Sequence, residues 1–124
     1  MKFTIIFILI IVIAPLVSYS QNNQWVIFNT TNSGLTDNNV TAIAQDKENN
    51  MWIGTSSGGL CRLSGGTWTN YNTSNSSLVS NSITALKVDT KGNLWIGMQN
   101  AGVCEYDGSN WTVFNKDNSG LPGN

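Results

Sequence analysis

Few residues of this chain could do chemistry, and histidine is not among them. Three carboxylates, Glu48, Glu105 and Asp107, are the candidates for acid and base catalysis, and glycoside cleavage would need two of them facing each other across a cleft. Arg62 stands where Glu105 stands 43 residues later, so we interpret both as variation on a solvated strand surface. Because the commonest general base and metal ligand is missing, the sequence predicts a non-catalytic protein without a cofactor.

Asp46 and Asp89 suggest a calcium loop at first sight, because Glu48 and Asn50 follow the first and Asn93 follows the second. The full alternation of Asp and Asn with a distal Glu is missing, and Lys47 and Lys91 add a repelling positive charge. We therefore predict that the two aspartates cap turns and that the chain has no metal site.

Two cysteines, Cys61 and Cys104, lie 43 residues apart. Export from the cytoplasm would permit a disulfide. Equivalent positions in adjacent structural units should, however, lie farther apart than the short Cα separation that a disulfide requires. We therefore favour two buried, small apolar side chains.

Charge is sparse, with six Lys and Arg residues against seven Asp and Glu. Nucleic-acid binding depends on clustered Lys and Arg, and none are clustered here. The sequence therefore predicts no nucleic-acid partner.

The first twenty residues read as a secretory signal peptide. A positive start at Lys2 precedes an apolar run over residues 3–17, and Ser18 and Ser20 place small residues before Gln21. An uncleaved anchor is the alternative, but the run is short for a membrane span and Pro15 interrupts it. We expect a mature protein of residues 21–124 that is periplasmic or secreted and is not held at a membrane after cleavage.

A repeat of 43 residues determines the expected fold. Residues 25–67 and 68–110 share 17 identical residues in 43 ungapped positions. Tryptophan recurs with this step in two series, one at residues 25, 68 and 111 and the other at residues 52 and 95. Strict recurrence favours packing between units over exposed stacking on sugar rings.

Each repeat contains four short runs with the alternation of β-strands, separated by turn residues. Asn49 and Gly92 share one turn position, where both tolerate a left-handed backbone. Four antiparallel strands in 43 residues predict one propeller blade. We predict an all-β partial propeller with blade strands over 40–71 and 83–114, an orphan N-terminal strand over 25–28, and an incomplete third unit over 115–124.

The sequence also resembles the two-component regulator propeller repeat. The resemblance lies in an alternating apolar strand, an Asp, a Gly or Asn turn, and the motifs Met51-Trp-Ile-Gly and Leu94-Trp-Ile-Gly, followed by a glycine-containing turn. It implies the extracytoplasmic sensor of a hybrid histidine kinase, often tuned to polysaccharide fragments. The same repeats also occur in secreted proteins without a kinase.

A closed ring needs at least four blades, and this chain supplies two. A truncated reading frame explains the number better than a short chain that completes a ring by self-association. The partners expected on this basis are the remaining blades or further copies of the chain.

Neutral polar loops are the most informative candidates for ligand binding. In a four-stranded meander, the connection between the second and third strands emerges at the same end as the long connection to the next blade. Hydroxyl and amide groups at this end suit an oligosaccharide or a peptide, with loop solubility as the competing interpretation. The candidate ligand-binding residues are Ser56, Ser57, Asn72, Asn75, Gln99 and Asn100.

The leading functional hypothesis is therefore a non-catalytic segment of a ligand-sensing or carbohydrate-binding propeller. The alternative is a structural or protein-interaction propeller of a secreted or cell-surface protein.

Overall fold

The computed structural model describes residues 25–124, and the predicted signal peptide lies outside them. The described residues form eight strands and no helix. Among these residues, no helix is long enough and apolar enough to span a lipid bilayer. The strands are β1 (Val40–Gln45), β2 (Met51–Thr55), β3 (Leu60–Ser64), β4 (Thr67–Tyr71), β5 (Ile83–Val88), β6 (Leu94–Met98), β7 (Gly102–Tyr106) and β8 (Trp111–Phe114).

The strands form two antiparallel meanders, β1-β2-β3-β4 and β5-β6-β7-β8. The prediction of two four-stranded blades over 40–71 and 83–114 is confirmed. The shared turn between the first two strands of each blade has the predicted backbone, with φ of 64° at Asn49 and 98° at Gly92. We call the two sheets blade 1 and blade 2.

An aspartate fixes the same turn in each blade. Asp46 Oδ1 accepts hydrogen bonds from the backbone N–H groups of Glu48 and Asn50, at 3.0 and 2.9 Å. Its Oδ2 accepts the indole N–H of Trp52 at 2.9 Å, and Asp89 accepts that of Trp95 at 3.1 Å. The prediction of turn-capping aspartates is confirmed. The hydrogen bond from the tryptophan indole to each aspartate was not predicted from the sequence.

These hydrogen bonds favour the ionised aspartates. Burial tends to raise the pKa of Asp46, but donation from Asn50, Trp52 and the turn backbone outweighs burial and lowers the pKa. The Trp95 indole is the largest cause of the lowered pKa of Asp89.

A smaller hydrophobic cluster of Leu35, Ile53 and Cys61 lies on the outer face of blade 1, and the main core lies between the two blades. Leu60 of blade 1 and Ile83, Ile96 and Cys104 of blade 2 are fully buried there. Gly54 permits this close approach, because a Cβ at that position would lie 2.5 Å from Cγ2 of Ile83. The remaining buried members of the main core are Trp52, Leu78, Leu94 and Met98.

Equivalent tryptophans have the same place within a blade but different neighbours. Trp52 is 3% exposed and lies 5.9 Å from Tyr71, ring to ring, with blade 2 packed over it. Trp95 stacks on Phe114 at 5.7 Å in the same way and is half-buried. The predicted packing role therefore holds for Trp52 and for Trp111, whose ring lies 5.4 Å from that of Tyr71 across the blades.

The segment 25–28 does not form the predicted orphan strand. A strand requires a hydrogen-bonding neighbour, and its repeat equivalents β4 and β8 pair with β3 and β7 of their own blades. Residues 25–28 have no such neighbour in the described chain. Trp25 is accordingly 93% exposed, and Phe28 lies edge-on to Trp68 at 5.7 Å. The expected third unit over 115–124 contains turns and no strand.

Both cysteines are free and fully buried, as predicted. Burial is the largest cause that raises the pKa of the Cys104 thiol, to about 11, which suppresses the reactive thiolate at neutral pH.

We expect neither thiol to react with a maleimide in the native protein at pH 7. Both should react once urea unfolds the chain, because the barrier is burial rather than oxidation. Mass spectrometry before and after urea treatment measures this. Rapid labelling of the native protein would contradict the burial of Cys61 and Cys104.

Candidate functional site

The predicted polar loops meet at one end of the blades, which we call the loop rim. Backbone hydrogen bonds join the turn between the second and third strands to the chain that enters a blade. Ser56 N–H donates to Asn39 O at 3.0 Å and Gln99 N–H donates to Ser82 O, also at 3.0 Å. Gly59 N–H donates to the backbone carbonyl of Asn81 at 2.9 Å, so the rims of the two blades are joined.

Asp37 organises the rim of blade 1. Its Oδ2 accepts the hydroxyls of Ser56 and Ser57 at 2.9 and 2.7 Å and the Ser57 N–H at 3.0 Å. The Asn39 N–H on Oδ1 is the largest cause that lowers the pKa of Asp37 to about 2, followed by the two serine hydroxyls. Both predicted serines are therefore held by an anion.

Sequence reasoning missed Asp37, because Ser80 stands at the equivalent position of the second repeat. Its position two residues before Asn39, with the spacing of an Asx turn, was the available signal.

The rim of blade 2 uses neutral groups. Ser82 Oγ donates to Gln99 Oε1 at 2.9 Å. Asn100 has a left-handed backbone with φ of 55°. Gln99 and Asn100 are both exposed, which leaves their amide groups facing water.

Asn72 and Asn75 have a structural task at this rim. Asn75 Oδ1 accepts the Asn72 N–H at 2.8 Å, and Asn75 Nδ2 donates to the backbone of Asn70 at 3.0 Å. The same amide-capped turn occurs one repeat before and one repeat after, at 2.8 Å in both copies. These contacts make the pair part of the turn that leads to each following blade.

We expect Asp37→Asn to reduce the dependence of the free energy of unfolding on pH in the acidic range. A carboxyl whose folded pKa lies below its unfolded value stabilises the folded state above the unfolded pKa, and this contribution disappears as pH falls through the folded pKa. The stability advantage of the wild type over the variant should therefore be complete above about pH 5 and shrink as pH falls from 3.8 to about 2.

Urea unfolding at pH 6 and pH 2.5 measures this difference. Asp117→Asn is the control, because Asp117 is an exposed aspartate in the turn after β8 that pairs with Lys116 and not with Ser56 or Ser57. An equal difference between wild type and Asp37→Asn at both pH values would contradict the assigned role.

A second concave surface lies at the opposite rim, between the blades. This polar cleft has a volume of about 310 Å³. The guanidinium of Arg62 lies over the Trp52 ring at 5.4 Å, and Lys47 Nζ donates to the backbone carbonyl of Thr90 across the blades. The sequence analysis did not predict this cleft, because it depends on how the blades pack.

The structure brings only two of the three candidate catalytic carboxylates to one cleft. Glu48 and Asp107 line the polar cleft. Glu105 is absent from that lining and accepts a hydrogen bond from Asn93 at 2.6 Å. Hydrogen bonds from Asn110 and Ser109 lower the pKa of Asp107, which opposes a role as a proton donor at neutral pH. Among residues 25–124, no group of three His, Cys, Asp or Glu side chains is placed to hold a metal ion.

This architecture is similar to that of known propeller proteins. Residues 34–57 and 77–100 match the family described as two component regulator propeller. The extracellular domain of the hybrid two-component system BT3049 from B. thetaiotaomicron is similar over 77% of this chain, with 30% identity and a TM-score of 0.67. No curated protein matches the chain.

PorZ, a surface component of the type-IX secretion system of Porphyromonas gingivalis, shares the fold over 68% of this chain, with 16% identity and a TM-score of 0.52. The chain spans only 13% of the BT3049 domain structure and 14% of the PorZ structure.

The two matched segments each contain the first two strands of one blade together with the turn that Asp46 or Asp89 caps. Both relatives act outside the cytoplasm, as an extracellular domain and a surface component. The chain therefore contains two copies of the two component regulator propeller repeat, one in each blade, and forms a partial β-propeller of two blades.

Proposed function

We propose that this chain is a non-catalytic, extracytoplasmic propeller segment that senses a ligand, with an oligosaccharide as the ligand class. In this proposal it contributes to the sensor part of a two-component histidine kinase and is exported to the periplasm or beyond. The observation that supports this most directly is the 30% identity to the extracellular domain of a hybrid two-component system.

The loop rim is the proposed contact surface. Ser57, Gln99 and Asn100 are exposed there, and hydroxyl and amide groups can both donate to and accept from sugar hydroxyls. Asp37 holds the Ser57 hydroxyl at 2.7 Å, so this part of the surface is ordered before a ligand arrives. Preorganised groups lose less entropy on binding.

Thermal unfolding of the full chain with a panel of neutral and acidic oligosaccharides tests the proposal. A ligand that binds only the folded state at a large excess over its Kd stabilises that state by about 2–3 kcal/mol. We therefore expect one sugar class to raise the Tm by several degrees. No shift with any oligosaccharide would overturn the carbohydrate assignment.

Two variants locate the binding surface. Ser57→Ala and Gln99→Ala should each weaken the response to the active sugar. Ser109→Ala is the matched control, because Ser109 is an exposed serine in the turn between β7 and β8, at the opposite rim. An equal loss in the control would exclude the loop rim as the site.

A structural or protein-interaction propeller is the second candidate function. Exposed apolar side chains favour it, among them Ile43 at 59% exposure. Stable capture of a defined protein partner, together with no response to any sugar, would establish this function in place of sensing.

A further inference from the structure

Among residues 25–124, each blade leaves one apolar face without a neighbouring blade. We call the open face of blade 1 the entry face; it forms an apolar groove of about 290 Å³. We call the open face of blade 2 the exit face; it forms a groove of about 370 Å³. The entry face contains Val40, Ile43, Met51, Ile53, Leu63 and Trp68. The exit face contains Trp95, Val103, Phe114 and Leu121.

These two faces are the repeat equivalents of the two faces that already pack together inside the chain. A step of 43 residues takes Trp52, Leu60 and Tyr71, which blade 1 presents to blade 2, onto Trp95, Val103 and Phe114. The same step takes Val40, Met51 and Ile53 of the entry face onto Ile83, Leu94 and Ile96, which blade 2 presents to blade 1.

Burial within the molecule shows what a neighbouring blade does to such a face. Ile83 is 0% exposed against blade 1, whereas its equivalent Val40 is 40% exposed. Leu78 is 3% exposed between the blades, whereas its equivalent Leu121 is only half-buried. The open faces therefore expose to water some of the side chains that a further blade would cover, although Leu35, Ile53 and Cys61 of blade 1 are already buried. Covering the exposed apolar surface is favourable.

Charge at the rim also permits the match. Glu48 of blade 1 and Lys91 of blade 2 line the same cleft between the blades. A step of 43 residues takes Glu48 onto Lys91. If blade 1 of a second chain packed against the exit face, its Glu48 would lie beside Lys91 of the first chain. The positive charge would then come from the first blade of the contact and the negative charge from the second, so opposite charges would again meet.

We infer that the exit face of one copy of this chain binds the entry face of a second copy. The contact is head to tail, so each copy keeps one open face and can add a further copy until a ring closes. Glu105 takes the place of Arg62 at this contact, so the cation over the tryptophan ring is lost. The contact between copies is accordingly weaker than the contact between the blades of one chain.

Analytical ultracentrifugation of the full chain over a range of concentrations tests the inference, with mass spectrometry recording the N-terminus of the purified protein. We expect the mass to rise with concentration to two or more copies. A monomer at every concentration up to the millimolar range would overturn the inference.

Two variants block one face each. Ile43→Asp blocks the entry face at a residue that is 59% exposed, and Leu121→Asp blocks the exit face beyond the last strand. An unpaired carboxylate in an apolar contact costs several kcal/mol, so each variant should weaken association by about 100-fold or more. Val79→Asp is the control, an equivalent change at an apolar residue that is 55% exposed and lies on the loop rim.

Mixing the two blocked variants distinguishes head-to-tail association from other dimers. Ile43→Asp retains an intact exit face and Leu121→Asp an intact entry face, so an equimolar mixture should form a one-to-one complex although each variant alone is monomeric. Unchanged far-ultraviolet circular dichroism and Tm confirm that both variants are folded. Failure of the folded variants to combine, or loss of association in Val79→Asp, would overturn the inference, and neither outcome bears on sugar binding.

Discussion

We expect Gly102→Ala to destabilise the protein by about 3 kcal/mol or more, from backbone strain together with overpacking. Gly102 begins β7 with φ of 82°. A Cβ at this position would lie 2.2 Å from the backbone carbonyl oxygen of Phe114. Because that oxygen belongs to the adjacent strand β8, the two strands would have to separate.

Gly92→Ala separates the two contributions. Gly92 has φ of 98° and no atom within 4 Å of its added Cβ, so this variant adds backbone strain alone, about 1–2 kcal/mol. Urea unfolding followed by tryptophan fluorescence measures both variants. Equal losses for Gly102→Ala and Gly92→Ala would show that the approach of Phe114 contributes nothing.

The second large effect is expected from Ile96→Ala. Ile96 is 0% exposed and lies in the cluster between the blades. Removing its side chain loses transfer free energy and leaves a closed cavity, at a cost of about 4 kcal/mol. The Tm should fall accordingly, by more than 10 °C for a domain of this size.

Ile53→Ala is the matched control, because Ile53 stands at the same place in β2 of the first repeat. Ile53 is 9% exposed and lines the open groove of the entry face, so truncation widens this groove without leaving a closed cavity and costs about 2 kcal/mol. Both should be measured at concentrations where the chain is monomeric. A cost for Ile53→Ala that equals that of Ile96→Ala would contradict the asymmetry between the faces.

The strands were predictable because their signals are local. Alternation over 40–45 and 83–88, together with the turn at Asn49 and Gly92, lies within a few residues in the sequence. Repetition then gave two independent readings of each element, which is why the blade bounds of 40–71 and 83–114 are confirmed. The predicted strand over 25–28 was wrong because a strand must pair with a neighbouring strand, and the local sequence does not show whether one is present.

The candidate site was predictable only in part. The meander placed Ser57 and Gln99 at one rim, because hairpin topology fixes which end a turn occupies. The role of Asp37 was not predicted, because its hydrogen-bond partners Ser56 and Ser57 lie 19 and 20 residues away in the sequence. The polar cleft around Arg62 was not predicted, because residues of both blades line it and their packing is not visible in the sequence.

The sequence by itself determined the blade: a unit of 43 residues whose strands, turns and capping aspartates form through contacts among near neighbours. The tertiary structure decided which copy of each residue is covered, as Trp52 and Trp95 show by having the same place within a blade and different exposure. The physical reason is that burial depends on the adjacent blade, and a repeat whose pattern of strands, turns and apolar positions recurs at every step does not specify which faces a neighbouring blade covers.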